Sequence, residues 1–260
     1  MFLTRLSTIG SIVVVMGLLG TASALVTHQT VAAEPGPVPA MIPAEPPPDE
    51  QKPVVDEKAE QEARRQSMDN LKGLALAMYK YMDEYGQFPP AAVYSKDGKP
   101  LLSWRVLLLP YLDQRDLYTK FKLDEPWDGP TNKKLLDKMP GIYTFKTSKE
   151  KPQKTVYQVF TGTGTIFPTP NTTKITDITD GTSNTLMIVE APEAVEWTKP
   201  TDLSYDPKKP LPKLGNLTKK GFLVAFADGS AQLLKKDIKE ATLRALITIN
   251  GGEVVDQNDF

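Results

Sequence analysis

The sequence predicts an α+β fold in which a long N-terminal helix packs on an antiparallel β-sheet, with a small helical insertion between them in the chain. Three observations support this prediction. An amphipathic pattern covers residues 56–85, short helical patterns broken by prolines follow it, and the strand-like segments come after Pro140. Strands and helices do not alternate, so the order differs from that of a nucleotide-binding α/β fold.

The helix over 56–85 is predicted from apolar and aromatic side chains that recur every three or four residues. Gly86 and the pair Pro89-Pro90 end the pattern. A stripe with this spacing is typical of a face that packs on a sheet, rather than of a ligand face. Its members are Met68, Leu71, Leu74, Met78, Tyr81, Met82 and Tyr85.

The insertion is predicted as three short helical pieces. Ser103 is the expected N-cap of the first, which Pro110 interrupts. A second piece is expected at about 114–121. A third begins near Pro130 and ends before Pro140.

The sheet is predicted from segments rich in β-branched and apolar residues at 155–160, 185–191 and 222–235. The last of these contains Asp228-Gly229, which predicts a tight turn between two antiparallel strands. A final helix follows, with Asp237 and Glu240 as a capping pattern and Gly251-Gly252 as its end. Its expected core stripe is Ile238, Leu243, Leu246 and Ile247.

Composition excludes several kinds of chemistry. The 260 residues include no cysteine and a single histidine, His28, which lies near the N-terminus. The later domain therefore cannot form a disulfide, a Ser-His-Asp triad or a histidine-ligated metal site. The 31 basic and 32 acidic residues nearly cancel, so neither nucleic acid nor an anionic membrane surface is an expected partner. No phosphate-binding or dinucleotide motif occurs. No cofactor is therefore expected, and calcium is left open.

Residues 1–33 predict a signal peptide or a membrane anchor. Arg5 precedes an uncharged run with a short apolar core at 9–19, and small residues typical of a cleavage site follow at 22–24 and 32–33. In either case the rest of the chain is expected outside the cytoplasm, in the periplasm, at the cell surface or anchored to the membrane. Contact with the membrane is expected only through this segment, if it is uncleaved.

Residues 34–55 predict a proline-rich linker. Eight of the 23 prolines lie within 34–53, without apolar periodicity. This composition favours an extended spacer over a ligand for another domain. The globular domain is expected to cover 56–260.

Four strings resemble the planctomycete proteins grouped as domain of unknown function 1559, in that family's order and over about residues 64–255. The resemblance implies a pseudopilin-like domain in which the second half of a long helix packs on an antiparallel sheet. The strings are 70-NLKGLALAMYKYMDEYGQFPPAA-92, 101-LLSWRVLLLPYLDQRDLY-118, 175-ITDITDGTSNTLMIVEA-191 and 223-LVAFADGSAQLL-234.

The sequence departs from that family at two places. Members commonly begin with a type IV prepilin leader and a very hydrophobic helix, whereas here a proline-rich linker follows the apolar segment. We therefore do not expect a pilus. Members also carry a histidine followed after nine residues by Asp-Gly in a C-terminal processing-associated motif. Here Thr218 takes the histidine's position, and only the turn at Asp228-Gly229 carries over.

The loop 177-DITDGTSNT-185 is the candidate metal site. Asp177, Asp180 and Asn184, with the oxygens of Thr182 and Ser183, could offer calcium the hard ligands it prefers. The spacing is not that of an EF-hand. The same residue types form ordinary turns whose side chains bond to nearby backbone. We favour the turn and leave calcium open.

Two other sites are weaker hypotheses. A carboxylate hydrolase would need a pair among Asp180, Glu190 and Asp228, and nothing in their spacing shows that any two meet. Three tryptophans could form a carbohydrate platform, although such residues more often anchor a core. They are Trp104, Trp127 and Trp197.

The sequence thus predicts an exported, non-enzymatic, pseudopilin-like protein with a structural or protein-interaction role and protein partners in the cell envelope. The alternatives are a calcium- or carbohydrate-binding module on the same scaffold and, less favoured, a carboxylate hydrolase.

Overall fold

The computed structural model describes residues 57–145, 153–215 and 220–255, all within the unit Lys52–Phe260. The predicted export segment 1–33, the predicted linker 34–55 and the position of Thr218 lie outside the described residues. In the described ranges, no helix combines the length and the apolar character needed to cross a membrane.

Helix α1, Glu57–Tyr85, confirms the predicted long helix. Its turns bury Leu71, Leu74 and Met78 completely against the sheet. The helix ends where Gly86 takes a φ of 72° and its N–H bonds to the Met82 carbonyl at 2.7 Å, because glycine enters this left-handed conformation without strain. Tyr85 was predicted to belong to the buried stripe, and this is wrong because its side chain is 55% exposed in the last turn.

The insertion contains strands as well as the predicted short helices. Strands β1, Ala92–Tyr94, and β2, Pro100–Ser103, form an antiparallel hairpin that the sequence analysis missed. Helix α2, Trp104–Leu107, has the predicted cap, because the Ser103 hydroxyl accepts from the Arg105 N–H. Helix α3, Arg115–Tyr118, is shorter than predicted. The third piece is a 3₁₀ helix, Asn132–Lys138, and it ends before Pro140 as predicted.

The main sheet has four strands: β3, Lys154–Gln158; β5, Leu186–Glu196; β7, Gly221–Phe226; and β8, Ala231–Lys235. They are antiparallel and lie in the order β3-β5-β7-β8. Asp228-Gly229 makes the predicted turn between β7 and β8, and Gly229 has a φ of 84°. A small parallel pair, β4 (Phe160–Thr161) and β6 (Leu203–Ser204), was not predicted.

Strand β7 is buried along its whole length because it packs on both faces. Leu223 and Ala225 join the cluster that includes α1, whereas Phe222 and Val224 join a second cluster on the other face. Helix α4, Glu240–Ile247, covers that second face through Leu243, Leu246 and Ile247. The sheet therefore lies between two helices, and the α+β prediction with α1 packed on an antiparallel sheet is confirmed.

The predicted start of α4 is wrong. The helix begins at Glu240, after Lys239, and no side-chain hydrogen bond caps it. Glu240 does not fold back on Asp237 but bonds to the guanidinium of Arg244 one turn later, at 2.7 Å. The Glu240 carboxylate therefore pairs with Arg244 and does not form the capping box predicted with Asp237.

Candidate functional site

The loop 177–185 holds the segment that follows α4. The Asp180 carboxylate accepts hydrogen bonds from the backbone N–H groups of Gly251 and Gly252 at 2.7 and 3.0 Å. The Asp180 N–H donates to the Ile249 carbonyl at 3.1 Å. Both carboxylate oxygens are therefore used to fix the C-terminal segment.

The other two candidate ligands of this loop bond locally. The Asp177 carboxylate accepts from the Lys174 N–H at 2.8 Å, and the Asn184 side chain donates to the Asp180 carbonyl at 3.1 Å. Among the residues that the structure describes, no three histidines, cysteines, aspartates or glutamates come together in a group that could hold a metal. The contacts favour the turn, and calcium binding stays a prediction.

The three carboxylates of the hydrolase hypothesis have separate surroundings. Asp228 is exposed in the β7–β8 turn, where it accepts from the Ser230 N–H at 2.8 Å. The Asp228 N–H donates to the Thr182 carbonyl at 3.0 Å, which brings this turn to the loop that contains Asp180. No described contact joins the side chains of Asp180 and Asp228 to each other, and none joins either of them to Glu190.

Glu190 is fully buried between α1 and the sheet. One carboxylate oxygen accepts from the Ser67 hydroxyl and the other from the Leu223 N–H, the latter at 2.9 Å. The Ser67 hydroxyl also bonds to that of Tyr157 at 2.8 Å, and Asn70 donates to Tyr157 at 3.2 Å. Burial raises the pKa of Glu190 to about 6, while the two hydrogen bonds oppose that rise. The hydrogen bonds among Glu190, Ser67, Asn70 and Tyr157 thus join α1 to the sheet.

Arg105 and Asp202 form a buried ion pair that the sequence analysis missed. Their side chains are 0% and 3% exposed, and the Arg105 Nη2 lies 2.8 Å from the Asp202 Oδ1. Arg105 also donates to the Tyr157 carbonyl and to the Ser103 hydroxyl. A charged residue inside the apolar run 101-LLSWRVLLL-109 is the one sequence signal that could have indicated such a pair.

Two clefts meet at Asp202. One has a volume of about 520 Å³ and lies against the β1–β2 hairpin, with Tyr94, Thr161, Thr169 and Thr201 in its lining. We call it the Asp202 cleft. The other has a volume of about 380 Å³ and shares Thr201 and Asp202 with the first. The Arg105 side chain is fully covered, whereas the 3% of the Asp202 side chain that remains exposed borders both clefts.

A third cleft, of about 410 Å³, is lined by four tyrosines at the end of α1 and in the insertion: Tyr81, Tyr85, Tyr111 and Tyr118. We call it the tyrosine cleft. The rings of Tyr81 and Tyr85 lie 4.4 Å apart, and those of Tyr81 and Tyr111 are edge-on at 5.9 Å.

The polar groups of the tyrosine cleft include a carboxylate, a guanidinium and the phenol hydroxyls. The Tyr111 hydroxyl donates to Glu84 at 2.7 Å, and Arg115 also lines the cleft. Burial, and then the neighbouring phenols and Glu84, raise the pKa of Tyr81 to about 12. Tyr81 is therefore neutral at physiological pH, and the cleft presents both aromatic surface and hydroxyl groups.

The tryptophans pack in the interior and do not form a carbohydrate platform. Trp104 and Trp197 are fully buried, and Trp197 stacks on Tyr143 with ring centres 5.8 Å apart. Trp197 also donates to the Leu136 carbonyl at 3.0 Å. Trp127 is partly buried beneath Lys199. The packing interpretation is confirmed because a platform would need exposed rings on one face.

Comparison with known proteins finds one family. Residues 57–145 match the family described as a protein of unknown function (DUF1559). That range contains the strings 70–92 and 101–118, whereas the strings 175–191 and 223–234 lie beyond it. Neither a curated protein nor a solved structure matches the chain.

Proposed function

Residues 57–145 match the DUF1559 family of unknown function. From this similarity and the sequence patterns we propose that the chain is an exported, non-enzymatic protein that acts through protein contacts in the cell envelope. Its globular part is pseudopilin-like and presents the tyrosine cleft to a protein partner. Residues 1–33 direct export as a signal peptide or a membrane anchor.

The surroundings of the acidic residues support a non-enzymatic role. Glu190 and Asp202 are buried in hydrogen-bonded groups, and Asp180 holds the backbone of the C-terminal segment. A hydrolase of the predicted type needs two carboxylates that face one bond across an open cleft. The described contacts of the candidate acids fit structural roles instead.

The tyrosine cleft is the observation that carries the proposal. Tyrosine and arginine are enriched among the residues that dominate binding energy at protein interfaces. A tyrosine ring adds a large contact area with little loss of side-chain entropy on binding. Tyr85 continues the apolar stripe of α1 and yet is 55% exposed, so a partner would complete the packing of this stripe. Arg115 lies in the same cleft and could pair with an acidic group of the partner.

The proposal is tested in the organism that encodes the chain. A photo-crosslinking amino acid replaces Tyr85 in one full-length variant and Lys72 in a control, since Lys72 is an exposed position of the same helix. Cell fractions and the mass of the mature N-terminus report export. We expect the chain outside the cytoplasm and a defined crosslinked envelope protein from position 85 only. Retention in the cytoplasm, or the same products from both positions, would overturn the proposal.

A further inference from the structure

The Asp202 cleft contains a buried carboxylate in which one oxygen accepts all of the hydrogen bonds described. The hydrogen bonds that described residues make to Asp202 come from Arg105, Trp104 and the Val159 N–H, and all three end on Oδ1. Oδ2 retains its capacity as an acceptor. Tyr94 and Asp202 line the same cleft. Burial, and to a smaller extent the negative charge of Asp202, raise the pKa of the Tyr94 hydroxyl.

The cleft as a whole carries almost no net charge. Asp202 is the one charged side chain among the described residues that line it, and the Arg105 guanidinium neutralises it at 2.8 Å. The Arg105 N–H groups donate to Tyr157, Ser103 and Asp202, so these donors are engaged within the protein. The cleft therefore favours a neutral donor, because an anion would face the carboxylate and a cation would find its charge already compensated.

The remaining lining alternates between hydroxyl groups and apolar surface. Thr169 and Thr201 contribute hydroxyls that can donate and accept, while the Tyr94 ring and nearby prolines contribute apolar surface. The Thr161 hydroxyl donates to the Leu203 carbonyl at 3.3 Å and can still accept. A saccharide has the matching character, since it carries hydroxyls at its edge and C–H groups on its faces. The volume of about 520 Å³ falls within the roughly 300–1,000 Å³ typical of small-molecule sites.

We propose that the Asp202 cleft binds a neutral saccharide, with Asp202 Oδ2 and the threonine hydroxyls on its hydroxyl groups and Tyr94 against its face. This site is separate from the tyrosine cleft and does not depend on the proposed protein contact. It also differs from the tryptophan platform considered from the sequence, because the described residues that line it include no tryptophan.

The structure supplies an optical readout for this site. The indole N–H of Trp104 donates to Asp202 Oδ1 at 3.2 Å, so a ligand on Oδ2 changes the electrostatic surroundings of this buried tryptophan. The full-length protein is titrated with cellobiose, maltose and di-N-acetylchitobiose while tryptophan emission and the heat of binding are recorded. Glucuronate and glucosamine serve as charged comparisons.

Two variants change the cleft without touching the ion pair. Tyr94→Ala removes the ring, and Thr169→Val removes an exposed hydroxyl at nearly constant size. Tyr118→Ala is the matched control, because Tyr118 lines the tyrosine cleft and is absent from the lining of the Asp202 cleft. Thermal unfolding verifies that each variant is folded, and the surface position of Thr169 keeps the test valid if Tyr94→Ala is unstable.

The expected result is saturable binding of at least one neutral disaccharide at millimolar concentration. Tyr94→Ala should weaken it about tenfold or more, and Thr169→Val should weaken it by a smaller factor. Tyr118→Ala should leave it unchanged. The proposal is overturned if none of the neutral disaccharides binds, if only the charged sugars bind, or if Tyr118→Ala weakens binding as much as Tyr94→Ala does.

Discussion

Glu190 is the residue whose protonation bears most directly on the stability of this fold. Its carboxyl group lies in the α1–sheet interface, where the charged form is poorly solvated, and its pKa is raised from 4.5 to about 6. The folded state therefore binds the proton more tightly than the unfolded state. Consequently the contribution of Glu190 to stability increases as the pH falls from above 6 to below 4.5, and is lost as the pH rises.

We predict that Glu190→Gln stabilises the protein at pH 7 and removes part of its pH dependence. A shift of this size corresponds to at most about 2 kcal/mol between pH 7 and pH 4.5. Glutamine can still accept from the Leu223 N–H and donate to Ser67, so the hydrogen bonds survive. Urea unfolding at both pH values measures the effect.

Glu193→Gln is the control for this prediction, because Glu193 is exposed on the same strand. It should keep the pH dependence of the original chain. If Glu190→Gln shows that same dependence, the carboxyl group does not titrate as its burial implies.

At the scale of elements, α1 offers a direct test of what holds the helix to the sheet. Leu74 is fully buried and Leu76, two residues away on the same helix, is 56% exposed. We predict that Leu74→Ala lowers the free energy of unfolding by about 2–5 kcal/mol, through lost apolar burial and a residual cavity. Leu76→Ala should change it by less than about 0.5 kcal/mol.

Urea unfolding of the two variants compares the same substitution at two burials. Both replace leucine by alanine in the interior of one helix, so any difference in helix propensity is shared. Equal losses would show that the face of α1 assigned to the core is wrong.

The loop 177–185 and the segment after α4 form a second pair of elements joined by one side chain. Asp180→Ala removes the acceptors for the Gly251 and Gly252 N–H groups. We predict a loss of about 1–2 kcal/mol. Asp180→Asn should lose less, because its one carbonyl oxygen still accepts.

The same variants test calcium. Thermal unfolding is measured after EDTA treatment and in millimolar calcium, since a ligand of the folded state raises the melting temperature. We expect the Asp180→Ala loss to be equal in both conditions, because backbone N–H groups occupy the carboxylate. A rise with calcium that Asp180→Ala abolishes would instead identify an ion-binding loop.

At the scale of the whole molecule, the sheet couples two cores. Side chains of β7 alternate between the cluster under α1 and the cluster under α4. Loss of either helix would expose one face of a strand that is buried throughout. The two cores should therefore be stable only together.

We predict that the described unit unfolds as one cooperative body. Native-state hydrogen exchange of the amides of Leu74 in α1, Val224 in β7 and Leu246 in α4 should give one free energy, equal to that from urea unfolding. The amide of Tyr85, in the exposed last turn of α1, should exchange faster. A distinctly lower value for Leu246 would show that α4 opens separately.

Local sequence patterns by themselves determined α1, the four main strands, the Asp228-Gly229 turn and the turn character of loop 177–185. Each of these depends on residues close together in the chain: apolar spacing within one element, or glycine at a position that needs positive φ. The family match over 57–145 also contains two of the quoted strings, 70–92 and 101–118.

Only the tertiary structure decided the polar centre and the clefts. Arg105 and Asp202 are 97 residues apart, and Glu190 meets Ser67 across 123 residues. The hairpin β1–β2 and the pair β4–β6 also escaped prediction, since strands of two to four residues are too short to show a period. Which buried charges find partners, and which tyrosines face a common opening, depends on how distant segments pack, and no local pattern records that packing.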